Sequence, residues 1–111
     1  AFYQTNLNDL LTEQAFQTLE IAGVQTEFCV DTTIRLAHGL GYTCLMTPKT
    51  TSTLDIGHLT AAQIIQHHEA IWDRGFLTFY PSINLELFLN IVCSLCFLVV
   101  FLVCISKKCS V

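Results

Sequence analysis

Basic residues are scarce in this sequence. The chain of 111 residues has five Lys and Arg against nine Asp and Glu, which gives a formal net charge of −4. Nucleic-acid binding depends on clustered Lys and Arg that neutralise phosphates, and the sequence has no such cluster. We therefore expect no nucleic-acid partner.

Charge is missing altogether from one long stretch. All nine acidic residues lie in residues 1–86, whereas residues 87–106 contain no charged side chain. An apolar run of this length can cross the roughly 30 Å core of a bilayer as a helix. The sequence therefore predicts a C-terminal transmembrane helix at about residues 87–106, within a hydrophobic tail of residues 83–111 that follows a domain of residues 1–82.

A secretory signal is also lacking, because residues 1–8 have neither a basic start nor an apolar run. Only Cys29 and Cys44 lie outside the tail, which argues against a disulfide framework. Free thiols suit a reducing compartment. We expect a cytoplasmic domain that the tail anchors to a membrane.

Hydrophobic periodicity predicts alternating helices and strands in the first part of the chain. Helices are predicted at residues 6–14, 27–40 and 60–73, the last beginning with a capping box. Strands are predicted from TLEIAGV, YTCLMT and FLTFY, and residues 49–58 are predicted to form a loop. Strands alternating with helices indicate an α/β fold with a parallel sheet, here a partial doubly wound one. The TLEIAGV strand would have an open apolar edge that needs a partner.

The segment GVQTEFCVDTT places Cys29 just after the first strand, at the amino end of the next helix. Ligand sites of parallel sheets gather at the carboxyl ends of the strands. Unpaired amides and the helix dipole at this position can stabilise a thiolate and a developing oxyanion. Cys29 is therefore a candidate nucleophile, and the alternative is a small buried hydrophobic residue.

Four segments in this order carry a resemblance to a known family: AFYQTNLNDLL, IAGVQTEFCVDTTIRLAHGLGY, STLD and LTAAQIIQHH. Together they closely resemble the isochorismatase-like cysteine hydrolases, the superfamily that includes nicotinamidases. The resemblance runs from about Ala1 to Tyr80. It implies a three-layer α/β/α domain of which this chain is the back half.

The resemblance also implies roles for particular residues. Cys29 would be the nucleophile that attacks an amide or related carbonyl carbon of a small molecule. An unusual cis peptide would fall near Val24 and Gln25, and amides of this turn and of Cys29 would form the oxyanion hole. The family's Asp base and its Lys would lie upstream of residue 1. The family commonly forms dimers or larger assemblies, so a homo-oligomer is implied as well.

Residues inside the chain are poor substitutes for the missing base. Glu27 and Asp31 are each two positions from Cys29, and residues two apart on a helix face away from each other. His68 shares the apolar stripe of its helix and is interpreted as a core histidine, while His67 faces away. Adjacent histidines point to different faces, so we expect no metal site and no cofactor.

A rival hypothesis comes from another functional class. The chain would then be a catalytically inactive, membrane-tethered interaction protein whose exposed strand edge recruits a partner. The absence of the family's Asp and Lys from this sequence supports this alternative.

Overall fold

The computed structural model describes residues 1–80 and 98–103. These residues form three α-helices, α1 (Leu7–Glu13), α2 (Asp31–Gly39) and α3 (Ala61–Trp72). They also form five strands, β1 (Thr18–Val24), β2 (Thr43–Met46), β3 (Thr51–Ser52), β4 (Thr78–Phe79) and β5 (Leu98–Val103). A π-helical turn, Thr26–Val30, joins β1 to α2.

The start of α3 shows how a local signal sets an element boundary. The backbone N–H of Gln63 donates to the Thr60 hydroxyl at 3.2 Å, and the backbone N–H of Thr60 donates to the Gln63 side chain at 2.9 Å. Both groups would otherwise lack a partner at a helix end. The predicted capping box is therefore confirmed.

The strands form a parallel sheet with β1 at its centre. One edge of β1 pairs with β2, so that Thr18 lies opposite Thr43 and Glu20 lies opposite Leu45. β4 pairs with the far side of β2. Beyond the end of β2, the short strand β3 pairs with β1 at Gly23 and Val24. The carboxyl end of β1 thus lies beside residues 51 and 52, which the sequence analysis assigned to a loop.

The other contact of β1 corrects the prediction for the tail. β5 pairs in parallel with β1, with Leu19 opposite Leu98 at one end and Val24 opposite Val103 at the other. Residues 98–103 of the predicted membrane helix therefore form a strand. The open edge of β1 did need a partner, and periodicity alone does not distinguish a strand from a helix in an apolar run. The rest of the predicted span, residues 87–97 and 104–106, lies outside the described residues. No helix among the described residues is long and apolar enough to cross a membrane.

The core lies between this sheet and the helices. Leu19 and Ile21 of β1 alternate with Glu20, so both face the same side of the sheet, where they are fully buried. They belong to one cluster with buried residues of the neighbouring elements: Phe2, Leu11, Val30, Ile34, Ala37, Cys44, Met46, Trp72 and Leu77. An apolar core on this face fixes the position of α2, and with it the turn that precedes α2.

Candidate active site

The turn between β1 and α2 is built around an unusual backbone. Gly23, near the end of β1, has a φ of 140°, a conformation that favours glycine. The peptide bond between Val24, the last residue of β1, and Gln25 is cis. The carbonyl of Gln25 then accepts hydrogen bonds from the N–H groups of Phe28 and Val30, both at 3.2 Å. The structure thus places Val24, Gln25 and Cys29 in one tight turn at the carboxyl end of β1.

Cys29 lies in the π-helical turn, two residues before the start of α2. A helix begins here with its positive dipole end, so the position favours negative charge on a thiolate or an oxyanion. In the structure Cys29 is disulfide-bonded. Because the thiolate is the nucleophilic form of cysteine, Cys29 must be reduced before it can react.

Cys44 provides a contrast within the same chain. It is a free cysteine, it is buried in β2, and its thiol faces the carbonyl of Tyr42 at 3.8 Å. Burial raises the pKa of Cys44 to about 11. At neutral pH Cys44 is therefore protonated and packs as a small hydrophobic residue.

Two threonines hold the turn from the side of β3. The Thr26 hydroxyl donates to the Thr51 hydroxyl at 3.0 Å, and both residues are buried. The Thr53 hydroxyl donates to Glu27 Oε1 at 2.7 Å. The sequence does not indicate these contacts, because Thr51 and Thr53 lie in a segment with the composition of a loop.

The first residue of α2 is held from the side of α3. Trp72 is fully buried, and its Nε1–H donates to Asp31 Oδ1 at 2.7 Å. Arg35 Nε donates to both carboxylate oxygens of Asp31, at 2.9 and 3.0 Å, and its guanidinium lies 4.7 Å from the centre of the Phe76 ring. The Asp31 charge is thus paired inside its own helix.

Among the contacts of the described residues, none joins a histidine to the cysteine turn Thr26–Val30. Nδ1 of His68 lies 2.8 Å from the carbonyl of Ile64, one turn earlier in α3, and its ring packs 5.7 Å from that of Trp72. His68 is half-buried, so it packs against Trp72 at the margin of the core rather than within it. No group of three or more His, Cys, Asp or Glu side chains within the described part of the chain could hold a metal ion.

A separate polar cluster lies on the other face of β1. Glu20 is only 8% exposed, and its Oε1 accepts hydrogen bonds from the hydroxyls of Thr47, at 3.3 Å, and of Tyr80. Burial and the hydrogen bond to Glu20 raise the pKa of Tyr80 to about 12. Tyr80 therefore remains a neutral donor well above physiological pH.

A family model and several solved structures point to the same family. The model of the isochorismatase domain matches residues 1–72. The crystal structure of an isochorismatase-family protein is 91% identical, with a TM-score of 0.70, and the match covers 71% of this chain and 48% of that one.

Two bacterial structures extend this comparison. An isochorismatase from Pseudomonas putida KT2440 is 30% identical, with a TM-score of 0.68, over 72% of this chain and 43% of that one. An isochorismatase-hydrolase homologue from Oleispira antarctica is 27% identical, with a TM-score of 0.67, over 72% of this chain and 44% of that one. The chain spans less than half the length of each structure that it matches here.

Proposed function

Because the chain belongs to the isochorismatase family, we propose that it carries the nucleophile of a hydrolase that cleaves a C–N or related bond through a thioester on Cys29. One observation carries this proposal. The π-helical turn Thr26–Val30 places Cys29 between the carboxyl end of β1 and the amino end of α2. This is the position where a parallel sheet binds its ligands.

The proposed reaction starts with the reduced Cys29 thiolate, which attacks the carbonyl carbon of a small amide-like substrate. The carbonyl oxygen takes up the negative charge, and backbone N–H groups of Gln25 and Cys29 donate to it. As the intermediate collapses, the C–N bond breaks, the nitrogen takes up a proton from solvent and leaves as the amine, and a Cys29 thioester remains. Water then attacks the thioester carbon, which releases the carboxylic acid and regenerates the thiol.

The nearby carboxylates Glu27 and Asp31 are not the base in this proposal. Glu27 accepts from Thr53, and Asp31 accepts from Trp72 and Arg35, so each has a structural partner. Neither is needed to remove a proton from Cys29 in this proposal. The proposal does not include a membrane anchor, since residues 98–103 pair with β1.

Acyl transfer from p-nitrophenyl acetate tests the nucleophile, because this ester has a good leaving group and reports release by colour. We expect the reduced chain to release p-nitrophenol in a fast phase and to carry the acetyl group on Cys29, as located by peptide mass spectrometry. Cys44→Ala should keep the fast phase, because the raised pKa of Cys44 makes it a poor nucleophile. A fast phase that persists in Cys29→Ala would contradict the proposal.

A further inference from the structure

The residues on either side of Ser52 contact two consecutive residues of the cysteine turn. Thr51 accepts a hydrogen bond from Thr26, and Thr53 donates one to Glu27. The backbone of β3 adds to this contact, because Thr51 pairs with Gly23 and the N–H of Gly23 donates to the carbonyl of Thr50 at 3.1 Å. A segment about twenty-five residues away in sequence thus holds the turn at both backbone and side chains.

Strand geometry explains why both threonines face the turn. Side chains two apart in an extended chain point to the same side, whereas the residue between them points away. Ser52 accordingly is exposed, while Thr51 is buried and Thr53 is half-buried. Ser52 is therefore a matched control: it has a hydroxyl on the same segment but lies on the opposite side.

Glu27 connects Thr53 to the nucleophile without touching the reacting atoms. It lies two residues before Cys29 in the π-helical turn, so the two side chains leave the turn in nearly opposite directions. Its Oε1 accepts from Thr53, while its Oε2 is buried and has no hydrogen-bond partner among the residues that the structure describes. The Thr53 hydroxyl is thus the described group that fixes this carboxylate, and a fixed Glu27 fixes the backbone that leads to Cys29.

We infer that Thr53 is a positioning residue for the nucleophile: its hydrogen bond to Glu27 sets the placement of the turn that presents Cys29. This inference rests on the proposed role of Cys29. It predicts that the loss of one hydroxyl, remote from the reacting atoms, lowers the reactivity of Cys29 and of no other thiol.

The test uses the reduced full chain and the rate of alkylation by iodoacetamide as a function of pH, with peptide mapping of Cys29 and Cys44. Thr53→Val has the same shape as threonine but cannot donate, Thr53→Ser keeps the donor, and Ser52→Ala is the matched control. We expect Thr53→Val to slow Cys29 alkylation at neutral pH by about two- to tenfold, the range that one hydrogen bond can supply. Thr53→Ser and Ser52→Ala should react like the unchanged chain.

Each remaining outcome decides against the inference. If Thr53→Val matches Ser52→Ala, the hydrogen bond does not position Cys29. If Cys44 also becomes reactive in Thr53→Val, the hydroxyl supports the whole domain rather than the turn, because Cys44 is protected by burial in β2. The proposed function fails in a different way, since it predicts acetylation of Cys29 in the unchanged chain whatever Thr53 does.

Discussion

Replacing Thr26 by Val tests how tightly the cysteine turn is joined to β3. Thr26 is 0% exposed and Thr51 is 6% exposed, so the hydrogen bond between their hydroxyls lies in the interior. Valine keeps the shape of threonine but leaves the Thr51 oxygen buried without its donor. An unsatisfied buried polar group costs about 1–3 kcal/mol, so we expect the free energy of unfolding to fall by that amount.

The double variant sharpens this prediction. Thr51→Val alone should also destabilise the chain, because it leaves the Thr26 hydroxyl without an acceptor. In Thr26→Val with Thr51→Val both polar groups are gone, and replacing both partners by apolar groups of the same shape is close to neutral. The double variant should therefore be more stable than the sum of the single changes predicts, with a coupling of about 0.5–3 kcal/mol.

Equilibrium unfolding in urea gives the required free energies. Trp72 is the only tryptophan in the sequence and is fully buried, so its fluorescence reports exposure of the core. Single variants as stable as the unchanged chain would refute the reasoning. A double variant equal to the sum of the two single changes would refute it as well.

Two further predictions concern Trp72, which contacts the first residue of α2, and the two groups with raised pKa values, Cys44 and Tyr80. Trp72→Phe removes the donor to Asp31 and should lower the free energy of unfolding by about 2 kcal/mol. Circular dichroism during unfolding in urea measures this loss, and an unchanged urea midpoint would contradict it. The folded state favours the neutral forms of Cys44 and Tyr80, because it raises their pKa values to about 11 and about 12. The contribution of these groups to the free energy of unfolding should therefore be complete below pH 9 and be lost as the pH rises through 11 and 12. A urea midpoint that is constant from pH 8 to pH 11 would contradict that expectation.

The sequence predicted the elements whose signals are local. β1 is observed at the predicted residues 18–24, and α3 begins at the Thr60 capping box. The predicted helix at residues 27–40 is present in two parts, a π-helical turn and then α2. A π-helical turn was not predicted, because the apolar periodicity of five residues does not distinguish it from the α-helix that follows.

The sequence missed β3 because that strand depends on a distant partner. Thr51 and Ser52 have the composition of a loop, and only pairing with Gly23 and Val24 makes them a strand. The two threonine contacts with the cysteine turn, which join residues 25 and 26 positions apart, follow from that pairing. No local pattern could have indicated them.

The prediction for residues 98–103 of the tail differs from the structure for another reason. Length and lack of charge favoured a membrane helix over about residues 87–106, whereas residues 98–103 form β5. Valine at positions 99, 100 and 103 is a signal that favours a strand, since β-branched residues are enriched there. The predicted open edge of β1 is a second signal, because it indicates that another strand must pair with β1.

The pH dependence of Cys29 alkylation in the reduced, unchanged chain tests the central claim most directly. The Cys29 thiol lies at the amino end of α2, where the helix dipole favours the thiolate. We therefore expect a midpoint clearly below the value of about 8.5 for an ordinary thiol. A midpoint at or above that value would mean that the turn does not activate Cys29, and the claim that it is a nucleophile would be contradicted.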